Sequence, residues 1–252
     1  MKYLLIDGHS ILNRAYYGVP LLTNSKGLHT NAVYGFLNIL FKLIDEENPD
    51  YLTVAFDVKA PTFRHELYPK YKGNRKGMDP ELKEQVPVIQ ELLAAMDIDV
   101  KTLKGYEADD VIGTLSLQAE EEGMDVSIVS GDRDLLQLAS KTTKLIIPKT
   151  KKSGTEIEEY YEKDVVEKYH VTPKEFIDVK ALWGDSSDNF PGVAGIGEKG
   201  ARSLISDYHS IENAYEHLEE IKQKRTREAL RENYQMGLLC KKLAKINRTS
   251  QV

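Results

Sequence analysis

One cysteine, Cys240, in 252 residues excludes a disulfide framework and a thiolate metal cage. A reducing, cytoplasmic compartment fits such a chain. No apolar run is long enough to span a membrane, and the opening MKYLLIDG is too short and too soon acidic for a signal peptide. The six histidines show no metal-ligand spacing, and neither a nucleophile elbow nor a Ser/His/Asp arrangement is present. Trp183 is the single tryptophan and reads, with the scattered aromatics, as core. Phosphate-loop signatures are missing too. Residues 195–200 match G-x-G-x-x-G but follow FPGVA instead of a strand, and Glu198 stands where a Walker loop needs lysine. What remains is an ordinary soluble globular composition, 41% hydrophobic and 29% charged, enough for one large domain or two modest ones.

What is present is acid in particular places. Asp7 ends the apolar run KYLLID, Asp57 ends YLTVAFD, and Asp132 follows DVSIVSG. Glu107, Asp109 and Asp110 crowd into GYEADD, Asp134 closes GDRD, and Asp185 and Asp188 lie in GDSSDN. Acids are favoured in the first turn of a helix and Asp in turns, so each group singly has a bland explanation as a cap or a turn. In an α/β protein, however, the carboxyl ends of parallel strands open on one edge of the sheet. Nine carboxylates gathered there would repel one another without cations. Oxygen-only donors point to hard divalent ions such as Mg²⁺ or Mn²⁺.

The net charge of −6 argues against a polyanionic partner until its distribution is considered. With those acids set aside the remainder turns positive. It clusters at Lys141, Lys144, Lys149, Lys151 and Lys152, and again along 222–248 from Lys222 to Arg248. Solvated helix faces would also explain either run. The stretch 58–78 interleaves Arg64, Lys70, Lys72, Arg75 and Lys76 with Tyr68 and Tyr71. Such a connection supplies phosphate contacts and base-stacking surface. The Gly195–Gly200 turn, with Gly197 between and Lys199 and Arg202 beside it, would open a helix whose N–H groups hold a phosphate.

Strand-like runs at 2–6, 51–56, 98–103, 125–130 and 144–147 alternate with helices expected at about 31–47, from Asp79–Pro80 to about Met96, and from Glu107. That alternation predicts a mostly parallel sheet with helices on both faces. Strand signals vanish after 165, and a soft boundary is expected near 180.

LLIDGHS at 4–10, FDVKAPTFRHELYPKYKGNR at 56–75, GYEADD at 105–110, SGDRDLLQL at 130–138 and GDSSDNFPGVAGIGEKGA at 184–201 together resemble the 5′-nuclease (flap endonuclease) family. The match is best with bacterial exonuclease domains that precede a polymerase, and it covers nearly the whole chain. The resemblance implies a PIN-like core, a helical arch at about 64–86, and a helix–hairpin–helix-type region from 181 on, with its turn at 192–201. It implies a first metal at the positions of Asp7, Asp57, Glu107, Asp109 and Asp110. A second lies near those of Asp132, Asp134, Asp185 and Asp188, and K⁺ sits at the 192–201 turn. Arg14 and Arg64 match substrate-phosphate residues; Tyr71, Lys72 and Arg75 match the start of the arch. Lys72, Arg75 and Asp110 are implied in catalysis. The implied substrates are 5′-flapped or nicked duplexes and RNA primer–DNA hybrids, handled by a stand-alone enzyme or one sharing its chain with a polymerase domain. Rival readings are a small-molecule phosphatase, a single-strand ribonuclease with a similar acid pit, and a non-catalytic DNA-binding module.

Overall fold

The structure is a computed structural model that describes residues 1–151 and 154–252, with the side chains of 150, 151, 154 and 155 left aside. Lys152 and the Lys151 side chain therefore lie outside the described residues. Chain order is β1 (Lys2–Asp7), α1 (Gly8–Gly18), α2 (Asn31–Glu47), β2 (Tyr51–Ala55), α3 (Phe63–Leu67), α4 (Pro80–Lys83), α5 (Gln85–Ala95), β3 (Asp99–Lys101), α6 (Ala108–Glu121), β4 (Asp125–Val129), a 3₁₀ helix (Arg133–Leu138), β5 (Thr143–Lys151) and β6 (Gly154–Tyr160). Then come α7 (Glu162–Tyr169), α8 (Pro173–Trp183), α9 (Glu198–Tyr208), α10 (Ile211–Glu216), a second 3₁₀ turn and α11 (Lys224–Ala244).

The six strands are ordered β3-β2-β1-β4-β5-β6, parallel except for the β5–β6 hairpin. Alternate residues feed two cores. Leu4, Ile6, Val54, Phe56 and Val129 pack with α1, α2 and α5. Leu5, Ala55, Val126, Ile128 and Leu145 pack with α6 and the C-terminal helices. The sheet is thus covered on both faces, as the near-continuous apolar strands require. From β1 the chain steps outward to β2 and β3, then returns to place β4 on the other side of β1. The switch point therefore lies between the carboxyl ends of β1 and β4, where ligands bind in such sheets.

The expected arch is not a helix here. Phe63–Leu67, Pro80–Lys83 and the start of α5 at Gln85 are helical, but 68–79 between them is a turn-rich loop. Pro69, Gly73 and Gly77 interrupt it, and Lys72 adopts a left-handed conformation with φ 53°. The loop is instead tied to 185–189. The Lys72 N–H donates to Asp188 O (2.8 Å), Asn189 Nδ2 to Lys70 O (2.7 Å), and Asn74 Nδ2 to Ser186 O (2.7 Å).

The turn after α8 relies on close backbone approach. Gly192 has φ 67°, and a Cβ there would stand 2.4 Å from Gly184 N. Gly192→Ala is expected to cost at least about 2 kcal/mol, from the left-handed conformation plus the clash. Urea unfolding measures the loss; an unchanged midpoint would contradict this packing.

Candidate active site

Strands β1, β2 and β4 each deliver an acid to the same edge, and most of the site's acids also serve the backbone. Asp7 ends β1 and caps α1, accepting from the Ser10 N–H (3.0 Å) and the Ser130 hydroxyl (2.7 Å). Asp57 follows β2 and accepts from Ala108 N (2.7 Å), the first residue of α6. Glu107 is the residue preceding α6, and Asp132 accepts from Asp134 N (2.8 Å) at the start of the 3₁₀ helix. Asp185 accepts from the Ser187 N–H (2.7 Å). These acids and Asp109 and Asp134 line one open cavity of about 490 Å³.

Asp109 stands apart within it. It accepts no hydrogen bond from any described residue. Burial raises its carboxyl well above the usual range, and the charges of Asp132, Asp7, Glu107 and Asp57 add to that. Burial, then Asp57 and Asp132, push Asp7 up to about 6 despite its two hydrogen bonds. Burial and Asp132 push Asp134 up to about 7. A hard cation would relieve this repulsion with the ligands it prefers, so the donor set fits a divalent metal. Among the described residues no three carboxylates already converge as direct ligands of one ion.

Asp110 and Asp188 do not line the cavity. Asp110 is fully buried and bound in a fork by Arg64, Nη1 to Oδ2 at 2.8 Å and Nη2 to Oδ1 at 2.9 Å. It also accepts from the N–H groups of Glu107 (3.0 Å) and Asn247 (2.8 Å). For Asp110 the capping explanation of GYEADD is the one the packing favours. Arg64 is 2% exposed, with Nε and Nη2 donating to Leu243 O and Lys245 O. Arg64 thus ties the segment that closes α11 to Asp110, and its guanidinium is taken up by these partners. Tyr71 is buried likewise, so its ring offers no stacking surface. Its hydroxyl lies 3.1 Å from Glu107 and 2.9 Å from Asp188, and joins the two acid groups. Arg14 donates to Pro148 O (3.2 Å), away from the cavity lining.

Cations border the pit. Lys72 Nζ reaches Glu107 (2.5 Å) and Arg75 reaches Asp188 (2.5 Å). Lys180, from the last turn of α8, pairs with Asp134 at 3.0 Å and with Asp185. Burial would raise the Asp185 carboxyl, but Lys180 and Ser187 pull it below the usual range. Lys180 was legible only as a basic residue one helical turn before the acid turn. His9 also borders the cavity, although no spacing marked it. Burial lowers its pKa, and Nδ1 accepts from Asp57 N at 3.2 Å. Nδ1 also lies 3.7 Å from Asp57 Oδ2.

The basic runs are less free than expected. Lys144 pairs with Glu47 and Glu159, and Lys149 with Glu158. Lys241 pairs with Asp178 and Glu212, Arg231 with Glu228 and Glu219, and Arg248 with Glu120. Gly197 precedes α9 without a side-chain cap, and Gly195 and Lys199 beside it are exposed. Arg202 turns aside to pair with Glu198 and lie 4.7 Å over the Tyr169 ring. Exposed Arg225 takes its place, its Nε lying 3.9 Å from where a Gly195 Cβ would stand.

Two family models cover the chain end to end: "5′-3′ exonuclease, N-terminal resolvase-like domain" over residues 2–170, and "5′-3′ exonuclease, C-terminal SAM fold" over 171–252. The chain belongs to the 5′–3′ exonuclease family. It is 50% identical over 251 residues to DNA polymerase I of Bacillus caldotenax, covering 100% of this chain and 28% of that protein. It is 48% identical over 245 residues to DNA polymerase I of Bacillus subtilis, covering 97% and 28%. The chain thus spans little more than a quarter of these relatives' length. Among solved structures, T5 5′-exonuclease with bound divalent zinc superposes with a TM-score of 0.77 at 22% identity, covering 98% of this chain and 90% of that one. The catalytic core of Rad2 in complex with DNA substrate gives 0.61 at 17%, covering 100% and 81%. The exonuclease family and its PIN-like fold are thereby established for this chain.

Proposed function

We propose that the chain is a metal-dependent, structure-specific 5′ nuclease that hydrolyses phosphodiester bonds near the 5′ end of flapped or nicked duplex DNA, RNA primers included. Asp109 carries the proposal: a carboxylate without a hydrogen bond from any described residue, facing four other acids at the sheet's switch point. Residues to about 180 perform the chemistry together with Asp185 and Asp188, and the rest of 181–252 grips the duplex. Asp7, Asp57, Glu107 and Asp109 would hold one Mg²⁺ or Mn²⁺, with Asp110 bracing them from behind. Asp132, Asp134, Asp185 and Asp188 would hold a second more loosely, partly through water. Bound ions would polarise the phosphodiester and make an attacking hydroxide available near neutral pH.

The chain's own groups do the rest. Asp7 and Asp57 are fixed by helix-end N–H groups. Lys72 and Arg75 sit at the cavity mouth on carboxylates and present positive charge to an entering phosphate. The uncapped N–H groups of α9, with Lys199 and Arg225, suit a duplex phosphate and read no sequence; K⁺ at the 192–201 turn belongs to the same reading. Metal-bound T5 5′-exonuclease and DNA-bound Rad2 support the reading, as do the polymerase relatives for a polymerase domain in the same native chain.

A 5′-labelled flap duplex tests it. Cleavage with Mg²⁺ or Mn²⁺, none with EDTA and little attack on single strands are expected. Binding without cutting would leave a DNA-binding module, and equal cutting of single strands or nucleotides would defeat structure specificity. Lys72→Ala is expected to slow cleavage at saturating substrate by about 10²–10³-fold. Gly195→Ala, strained at φ 92°, should instead weaken duplex binding and flatten its salt dependence. Equal effects of both changes on both quantities would undo that division.

A further inference from the structure

A second cleft, of about 450 Å³, adjoins the carboxylate cavity and shares Lys180 and Asp185 with it. Tyr68, Trp183 and the loop 184–191 form its walls. Trp183, expected in the core, is 41% exposed. Its indole stands at the end of α8, where Lys180 Nζ lies 5.4 Å from the ring centroid. Trp183 is one of several exposed aromatic rings and the one among them that lines a cleft adjoining the carboxylate cavity. The stacking surface assigned to Tyr71 from the sequence is absent, because that ring is buried.

We propose that this cleft is a nucleobase subsite, which stacks one unpaired base of the cut strand on Trp183. The proposal rests on the nuclease reading above and adds where a base would sit. The two cavities share a lysine and an aspartate. A phosphate beside the acids and a base in the cleft are thus close enough to belong to neighbouring nucleotides of one strand. The cleft's lining combines the aromatic rings of Tyr68, Trp183 and Phe190 with polar Ser186 and Asn189. That combination accepts any base face without reading its edge, as a nuclease indifferent to sequence needs. Lys180 beside the indole places positive charge where the connecting phosphate passes.

Because Trp183 is the only tryptophan, its fluorescence reports this cleft alone. A 5′-flap duplex is titrated with Ca²⁺ in place of Mg²⁺, and cleavage is then measured separately with Mg²⁺. Expected are saturable quenching and its loss when one abasic site, scanned through the flap and terminal nucleotides, falls at a single position. That substitution should weaken binding about 5- to 100-fold. Trp183→Ala should weaken binding of the intact flap by the same factor, raise KM more than it lowers kcat, and remove the sensitivity to that abasic position. Trp183→Phe should restore both. An unchanged melting temperature for Trp183→Ala separates these effects from misfolding. A flap that binds and is cut without quenching, or an abasic scan without a singular position, overturns the subsite and leaves the nuclease reading standing. A flap neither bound nor cut overturns both.

Discussion

Asp109→Asn is expected to abolish flap cleavage, by at least about 10³-fold, while making the metal-free protein more stable. The opposite signs follow from one cause. Asp109 faces Asp132, Asp7, Glu107 and Asp57, and burial together with those charges raises its carboxyl. Asp7 is pushed up to about 6 and Asp134 to about 7 by the same combination. An acid whose folded value exceeds its unfolded value of about 3.9 binds more protons folded than unfolded, so stability falls as pH rises through that window. For Asp7 and Asp134 the window runs from about 4 to about 7, and Asp109 extends the fall in the same direction. Asp185, held low by Lys180, works in the other direction and only partly offsets this. Removing one charge relieves the rest. Each relieved pKa unit is worth about 1.4 kcal/mol, and each kcal/mol about 2–4 °C in a chain of this size. Melting curves in EDTA at pH 5 and pH 8 check the claim. The wild type should lose more stability between them than Asp109→Asn does. Equal losses, or a destabilised variant, would mean that the acids are already neutralised within the protein.

Arg64→Met should have the largest effect on folding, a loss of about 3–5 kcal/mol. It strands the Asp110 carboxylate at zero exposure and removes the donors to Leu243 O and Lys245 O. Burial alone would lower the guanidinium's pKa, but the Asp110 and Glu107 carboxylates more than reverse this, so the charge stays. Asp110→Leu alone should cost a similar amount by leaving the cation unpaired. The double variant Arg64→Met/Asp110→Leu should recover much of the loss, because an apolar pair can replace a buried ion pair. Urea unfolding of all four proteins gives the coupling energy. Additive small losses would return Asp110 to the ligand set and Arg64 to the substrate.

Much of this was legible because apolar periodicity and strand-end acids are short-range signals. Five strand positions, the helix at Asn31–Glu47 and the one opening after Glu107 follow from spacing alone. Strand β6 did not, since GTEIEEY is an edge strand whose polar faces carry no alternation. Helix α1 is short and begins with Gly8 directly after a strand, so its Ile11, Leu12 and Ala15 stripe is brief. The burial of Arg64 and Tyr71 and the exposure of Trp183 were not legible for a different reason. Composition says what a side chain can do, whereas burial decides whether it can reach anything. Basic Arg64 and aromatic Tyr71 went inside to satisfy acids, and Trp183 stayed out. Such exchanges depend on contacts between residues more than a hundred positions apart, such as Arg64 with Leu243 and Tyr71 with Asp188.

Calorimetric titration of Mg²⁺ into the metal-free protein at pH 6.5, repeated in two buffers of different ionisation enthalpy, tests the metal-binding role of the acid cluster most directly. Carboxyls raised to about 6 and about 7 hold protons in part at that pH. Cation binding must therefore expel them. Saturable binding with proton release is expected, and Asp109→Asn should greatly reduce both. Binding without any proton release, or unchanged in that variant, would show that the cations sit elsewhere and would contradict the assignment.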